Sequence, residues 1–344
     1  MTMAAKSWRI AVLGATGLVG DTMIRILEER NFPVSVLYPL ASNRSVGKSA
    51  DFHGRKVAVI DVESFDFSTA DIGLFSAGGE VSRVYAPKAA AAGCVVIDNT
   101  AEFRYDDDIP LVVPEVNPGA IAHFRARRII ANPNCSTIQM VVALKPIHDA
   151  VGIERINVAT YQSVSGAGKE AVDELAEQSV ALMSGKGPVK PKVLPKQIAF
   201  NCIPQIDKFM ENGYTKEEMK MLWETQKILG DSNIRVNATT VRVPVFFGHS
   251  EAVHIETRRK ITAAEARELL GKAPGVEVMD ERRPGGYPTP AVEAANRDTV
   301  YVGRIREDMS HDRGLNLWIV ADNVRKGAAT NSVQIAEILV RDLL

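Results

Sequence analysis

Cys135 is the residue of this chain best placed to do chemistry. It follows Asn132-Pro133-Asn134, and the run Gln139–Ile147 beyond it reads as helical. An Asn-Pro step forces extended backbone ahead of the cysteine. Cys135 is therefore expected at or near a helix start, where the dipole and free N–H groups favour thiolate. The same donors can hold an oxyanion when that thiolate attacks a carbonyl. Cys94, inside Ala-Gly-Cys-Val-Val, and Cys202 read instead as small, inert core residues. A nucleophilic thiol needs a proton-transfer partner, and histidine is the usual one. Of six histidines, His249 stands out, because the apolar run from Arg242 stops at Gly248 and presents it at a turn. His254 lies in the following strand and could face either way. His53, His123, His148 and His311 sit in polar or helical surroundings and are expected to be solvated or structural.

A second constellation lies near the start. Gly14, Thr16, Gly17, Leu18, Val19 and Gly20 fall in one run between an apolar strand, Arg9–Leu13, and a helical pattern, Leu18–Arg30. Glycines at the first strand-to-helix turn allow a dinucleotide's pyrophosphate to approach the backbone, and the helix start supplies N–H donors. The spacing is GxxGxxG rather than GxGxxG, so the context carries the reading more than the motif does. After the second strand come Ser42, Asn43, Arg44 and Ser45 with no carboxylate. An acidic residue there would bind a ribose 2′-hydroxyl, whereas hydroxyls and a guanidinium suit a 2′-phosphate, so the cofactor expected is NADP.

The elements that must position these groups alternate. Strands at 9–14, 34–38, 57–62, 72–76 and 95–98 are interleaved with helical runs at 18–30 and about 83–92, which implies a parallel sheet covered on both faces. From Cys135 the rhythm changes to a helix and then strands at 156–163, 235–245, 251–260, 299–306 and 315–322. The fold class expected is α/β, with an N-terminal Rossmann-type nucleotide-binding domain and an α+β second domain whose strands look antiparallel. Residues 1–134 with 324–344 would form the first domain and 135–323 the second. The terminal helix, 328–344, carries apolar positions Val333, Ile335, Ile338, Leu339 and Leu343 and is expected to return to the first domain. The proline- and lysine-rich stretch Ser184–Lys196 reads as an exposed excursion.

Bulk properties exclude several classes. At 344 residues the chain is longer than a single core usually supports. A net charge of −1 leaves no basic excess for a nucleic acid or membrane surface. No apolar run approaches the roughly 20 residues of a membrane span, and no signal peptide is read. Three scattered cysteines offer neither a disulfide framework nor a cysteine-type metal site, which suits the cytoplasm.

Several runs taken together closely resemble the aspartate-semialdehyde dehydrogenase family: NPNCSTIQMV, YQSVSGAGKEA, VRVPVFFGHSE and NSVQIAE, with GATGLVG and SNRSVGK in the same order. The resemblance covers essentially the whole chain. It implies a catalytic domain of the glyceraldehyde-phosphate-dehydrogenase type, a homodimer that in the family sometimes pairs into a tetramer, and aspartyl phosphate as substrate. It further implies Cys135 as nucleophile and His249 as acid/base. Gln162 would orient the acyl group, Arg242 would bind the substrate carboxylate as a fork, and Glu217 would meet its ammonium. Arg104, Asn134 and Lys220 would hold phosphate. Ser165 and Gly166 would lie against the nicotinamide, with Asn331 reaching it from the terminal helix. One departure stands at Asn99-Thr-Ala-Glu102-Phe-Arg104, where the family often carries serines and Glu102 would repel phosphate if it faced the site.

The activity implied is reductive dephosphorylation of aspartyl phosphate through a Cys135 thioester, in the synthesis of lysine, threonine and methionine. N-acetyl-γ-glutamyl-phosphate reductase is the nearest alternative, although its cysteine typically lies in Pro-Gly-Cys followed by Tyr-Pro-Thr. Phosphorylating glyceraldehyde-phosphate and acyl-coenzyme A dehydrogenases are disfavoured by the same runs. A non-catalytic NADP-binding sensor is the alternative of another class. The Ser42–Ser45 turn makes a prediction of its own. Replacing Arg44 by Ala should raise KM for NADPH about tenfold to hundredfold and KM for NADH far less. Equal efficiency of the wild type with NADH in steady-state assays would contradict it.

Overall fold

The computed structural model describes residues 6–344 and resolves the chain into two compact units. The first runs up to Pro133 and includes Ala328–Leu344; the second is Asn134–Gly327.

The first unit is built on strands β1 (Trp8–Leu13), β2 (Val34–Ala41), β5 (Ile60–Asp61), β6 (Ile72–Phe75), β7 (Val95–Asp98) and β8 (Ile129–Ala131). A small antiparallel pair, β3 (Ser49–Phe52) and β4 (Arg55–Ala58), is inserted before β5. The six-stranded sheet has the order β5-β2-β1-β6-β7-β8 and is parallel throughout. Consecutive residues Ile10, Ala11, Val12 and Leu13 of β1, and Val95, Val96 and Ile97 of β7, are all buried, as expected of strands covered on both faces. Helices α1 (Leu18–Glu29) and α2 (Gly79–Ala91) follow β1 and β6. The chain's last helix, Thr330–Asp342, packs Val333, Ile335, Ala336 and Leu339 into the core that holds Ile10, Met23 and Leu27. Its narrow apolar stripe could not be buried alone, which is why the chain returns to this unit after completing the other.

Strand order reverses between β1 and β6, and in parallel sheets of this kind ligands bind beyond the strand ends at that point. Gly14 turns the chain there with φ of +91°, which favours glycine, and a side chain on it would lie 3.0 Å from Ser76. Gly20 is tighter, since a Cβ there would fall 2.2 Å from the carbonyl oxygen of Gly14.

The second unit holds a six-stranded sheet in the order β10-β9-β11-β14-β13-β12. The strands are β9 (Ile153–Gln162), β10 (Arg235–Arg242), β11 (His249–Thr257), β12 (Val276–Val278), β13 (Val300–Glu307) and β14 (Gly314–Ala321). Three neighbouring pairs are antiparallel, but β9 with β10 and β12 with β13 run parallel. The sheet is therefore mixed, which corrects the antiparallel expectation. Parallel neighbours need a long crossover, and the segment between β9 and β10 supplies one with helices α4 (Lys169–Met183) and α5 (Lys216–Leu229). Helix α3 (Cys135–Val151) precedes β9, α6 (Ala263–Gly271) lies between β11 and β12, and the terminal helix of the first unit is α7. Ile138, Val141, Val142, Leu144 and Ile147 of α3 are buried, as are Val253 and Ile255 of β11. The 184–196 stretch is largely exposed yet tethered: the buried Glu174 carboxylate on α4 accepts the backbone N–H groups of Lys192 (2.6 Å) and Val193 (2.7 Å). Among the described residues no helix is long and apolar enough to cross a membrane.

Gly20→Ala should be costly, because the atom it meets is backbone and cannot swing aside. Overpacking of this kind costs about 1–3 kcal/mol. A lowered midpoint in thermal unfolding, together with weakened NADPH binding in a fluorescence titration, is the expected result. An unchanged midpoint and affinity would contradict it.

Candidate active site

In the second unit, Cys135 is the first residue of α3. Asn134 is the cap: its side-chain oxygen accepts the N–H groups of Ser136 (3.0 Å) and Thr137 (3.3 Å). Its amide nitrogen donates to Glu217 Oε1 (2.9 Å), and its backbone N–H donates to Glu224 Oε2 (2.6 Å). One asparagine thus locks the helix start to two carboxylates of α5. Gly327 approaches from the far end of the unit, and a side chain there would stand 2.8 Å from Cβ of Cys135.

Glu217 is the electrostatic centre. Burial alone would raise its pKa, but Lys220, Asn134 and Arg242 outweigh burial and hold it at about 2. Lys220 Nζ donates to Glu217 Oε2 and to Asp207 Oδ2, both at 2.9 Å. Burial would lower the Lys220 pKa, yet those two carboxylates raise it. Gln162, at the end of β9, donates to Glu217 Oε1 at 3.3 Å. Arg242, at the end of the neighbouring β10, is buried and donates to the Ser163 carbonyl at 2.7 Å. Its pKa is lowered by burial, with Glu217 and Cys135 opposing the shift. The parallel register that sets Arg242 beside Gln162 is what delivers both side chains to one spot.

His249 opens β11 and is fully buried. The Ser163 backbone N–H donates to its Nδ1 at 3.1 Å. A nitrogen that accepts cannot carry the proton, so in the neutral ring the hydrogen sits on Nε2. Burial first, and the nearby Arg242 charge second, push its pKa down to about 3, so the ring is neutral at ordinary pH. Among the described residues Nε2 has no hydrogen-bond partner, and it faces Gly166, where a Cβ would lie 3.3 Å from it and 2.8 Å from Arg242. Gly166 therefore leaves open the space into which the imidazole N–H and the guanidinium point.

Asn323 was not expected. Its Oδ1 accepts from Ser163 Oγ (3.0 Å), Ser165 Oγ (3.1 Å) and the Gly248 N–H (3.0 Å). It fixes the loop after β9 and the turn before His249 at once. A polar residue just past a strand end was the only signal in the sequence, and many asparagines share it. The rest of the expected set in this unit, Cys135, Asn134, Gln162, Ser165, Gly166, Glu217, Lys220, Arg242 and His249, falls into this one linked cluster.

The first unit carries a separate cavity of about 420 Å³ beyond β1, β2 and β6. Gly14, Thr16, Gly17, Ser42, Ser45, Ser76 and Ala77 line it. No side chain caps α1, whose N-cap is Gly17, so its first N–H groups are left for a ligand. Thr16 Oγ1 lies 3.2 Å from Ser45 Oγ and ties the glycine turn to the loop after β2. Leu18 and Val19 begin α1. Arg44 is exposed in the short turn Asn43–Ser45 and is not part of the cavity wall, whereas Glu63, which the sequence reading overlooked, is. Glu63 follows β5 rather than β2, and only the folded order of strands brings it there. Glu102 does not stand as a bare charge: Arg83 donates to both its oxygens, at 2.6 and 3.0 Å. Arg104 is buried and donates to the Asn99 carbonyl at 3.0 Å. Asn331 lies in the same unit. It is buried, and its amide donates to Val112 O (3.0 Å) and Asn132 Oδ1 (2.7 Å), which occupies both of its N–H groups inside the fold.

A parallel nucleotide-binding unit, and a unit holding a helix-start cysteine with a buried histidine and arginine, together define a nicotinamide-dependent dehydrogenase of the semialdehyde dehydrogenase class. Residues 9–124 match the family model described as semialdehyde dehydrogenase, NAD binding domain, and residues 144–326 match semialdehyde dehydrogenase, dimerisation domain. The aspartate-semialdehyde dehydrogenase of Shewanella violacea is 64% identical over 338 residues, spanning 98% of this chain and 99% of that one. The crystal structure of aspartate semialdehyde dehydrogenase II from Vibrio cholerae, complexed with ASA, superposes with a TM-score of 0.97 at 62% identity, covering 99% of this chain and 100% of that one. The enzyme from Candida albicans, solved with NADP, gives a TM-score of 0.75 at 27% identity over 97% and 99% of the two chains. The chain belongs to the aspartate-semialdehyde dehydrogenase family.

A ring held neutral should not titrate in the usual range. In a ¹³C- or ¹⁵N-resolved NMR titration the His249 resonance should stay fixed over about pH 5 to 8. A midpoint near the ordinary 6.5 would contradict the burial argument.

Proposed function

We propose that the protein reduces L-aspartyl-4-phosphate to L-aspartate 4-semialdehyde, using NADPH and a thioester on Cys135. The observation that carries this reading is the pairing, in one buried cluster, of an ionised Glu217 with a guanidinium at Arg242 beside a helix-start cysteine. An amino-acid substrate presents an ammonium and a carboxylate, and these two groups are their complements. A substrate with an acetylated nitrogen has no cation for Glu217, which disfavours the N-acetyl-γ-glutamyl-phosphate reductase reading.

The Sγ of Cys135 attacks the acyl carbon, the carbon–oxygen bond to phosphate breaks, and inorganic phosphate leaves. Arg104, Asn134 and Lys220 are the groups offered for that phosphate. Lys220 has one of its three donors left beyond its two carboxylate contacts. Gln162 orients the acyl group, and Arg242 grips the carboxylate. Bound NADPH supplies a hydride to the thioester carbon. His249, with its proton on Nε2, donates to the oxygen of the resulting thiohemiacetal and takes a proton back as the C–S bond breaks to release the aldehyde. The cofactor is NADP. The glycine turn of Gly14, Gly17 and Gly20 suits its pyrophosphate, Ser42 and Ser45 with Arg44 suit the 2′-phosphate, and Ser165 and Gly166 are assigned to the nicotinamide. Residues 144–326 match a dimerisation domain, which supports a homodimer. Three cysteines with no disulfide among the described residues suit the reducing cytoplasm.

The test is an assay of NADP reduction with aspartate semialdehyde and phosphate, run beside the N-acetylglutamate analogue. Turnover should appear with the former only. Cys135→Ala should abolish it while leaving NADP affinity unchanged, and mass spectrometry should find the acyl adduct on Cys135 of the wild type. A fully active Cys135→Ala variant would end the covalent mechanism, and an inactive wild type that still binds NADP would favour a sensor.

A further inference from the structure

Two buried polar side chains beside the reacting pair take no part in the chemistry above. Gln139 lies on α3 one turn after Cys135, and Glu251 lies on β11 two residues after His249. Both are fully buried. Neither carboxyl oxygen of Glu251 has a hydrogen-bond partner, and neither does Oε1 of Gln139. The amide nitrogen of Gln139 donates to the His249 carbonyl oxygen at 3.5 Å. A carbonyl can only accept, so the nitrogen must be the atom facing it, and Oε1 is left to meet something else.

Burial drives the Glu251 carboxyl well above the usual carboxylate range, and the neighbouring Gln139 amide, which makes no hydrogen bond to either oxygen, offsets only part of that shift. Among the described residues no arginine or lysine compensates it, in contrast with Glu217. An ionised Glu251 would be a buried charge without a counter-ion, and its desolvation would go unrepaid. A neutral acid removes that cost and gains an O–H, which is the donor that Gln139 Oε1 lacks.

We propose that Glu251 is kept as a neutral carboxylic acid donating to Gln139 Oε1, and that this pair is a positioning device for the reaction. In this arrangement the Glu251 O–H would meet Gln139 Oε1, and the observed 3.5 Å contact of Gln139 Nε2 with the His249 carbonyl continues the chain. It joins the strand that begins with His249 to the helix that begins with Cys135. Apolar packing between a helix and a sheet is non-directional and tolerates sliding, whereas two hydrogen bonds in series fix the offset of one element on the other. Glu251 and Gln139 are thus positioning residues. The inference rests on reading Cys135 and His249 as the reacting pair.

Infrared difference spectroscopy at neutral pH between wild type and Glu251→Gln tests the protonation state directly. A carboxylic-acid C=O band should be present in the wild type, shift in D2O and vanish in the variant. Kinetics test the positioning. Glu251→Gln keeps a neutral donor and should keep kcat close to wild type. Glu251→Leu and Gln139→Leu should lower kcat about tenfold to hundredfold with little change in KM for aspartate semialdehyde, as expected when geometry and not binding is disturbed. The exchanged double variant Glu251→Gln with Gln139→Glu should recover much of the loss, which guards against a fold defect in the leucine variants. A carboxylate band in place of the acid band overturns the protonation claim. Glu251→Gln as impaired as Glu251→Leu, or Glu251→Leu as fast as wild type, overturns the positioning claim. If the wild type itself fails to turn over aspartate semialdehyde, the functional reading falls, while the infrared result still decides the state of Glu251.

Discussion

A carboxylate can remain ionised inside a protein only where its neighbours replace the water it has lost, and Glu217 is held under that constraint. Lys220 supplies charge, and Asn134 and Gln162 supply amide donors. The consequences spread outward, since Asn134 is also the cap of α3, Gln162 ends β9, and Lys220 and Glu217 share a face of α5. The helix start that presents Cys135, the strand end and the crossover helix are therefore pinned by one buried charge. Removing a single partner from such a site costs about 3–5 kcal/mol, because the charge left behind is uncompensated. The arrangement is a weak source of net stability but a strong source of geometry.

His249 is governed by a different balance. Burial and the nearby Arg242 charge disfavour the imidazolium, and together they outweigh the Glu217 carboxylate that favours it. The Ser163 N–H then selects the tautomer, while Asn323 holds the Ser163 hydroxyl and the Gly248 turn. Two glycines serve space and not flexibility here. Gly166 keeps clear the volume before the imidazole and guanidinium, and Gly327 lets the chain pass against Cys135. In the first unit the same logic applies to Gly20, whose missing side chain allows α1 to start hard against the turn at Gly14.

Much of this was legible beforehand where a local rule had one reading. The glycine turn between an apolar strand and an amphipathic helix, the cysteine after Asn-Pro-Asn and the histidine after a strand-ending Gly248 all follow from backbone preferences over a few residues. The second unit's mixed sheet was less legible. Whether β9 and β10 run parallel depends on what connects them, and α4 and α5 were not among the elements expected between them. Residues such as Glu63, Asn323, Gln139 and Glu251 were invisible as a group, since a lone polar residue in a strand or helix says nothing about its depth.

The sequence alone determined the periodicities and turns, and with them the sites at which a thiolate, an imidazole and a pyrophosphate could be presented. Those depend on interactions within one or two helical turns or one strand, which the order of residues specifies directly. Protonation and pairing were settled only by the tertiary structure. Glu217 and Glu251 are the same residue type, both buried, and one is held ionised near 2 while the other is driven far upward. The difference is that Lys220 of α5 and the α3 cap Asn134 meet Glu217, whereas β11 buries Glu251 with no cation beside it among the described residues. Charge in a protein interior is set by what surrounds a group through space, and that is information the chain acquires only on folding.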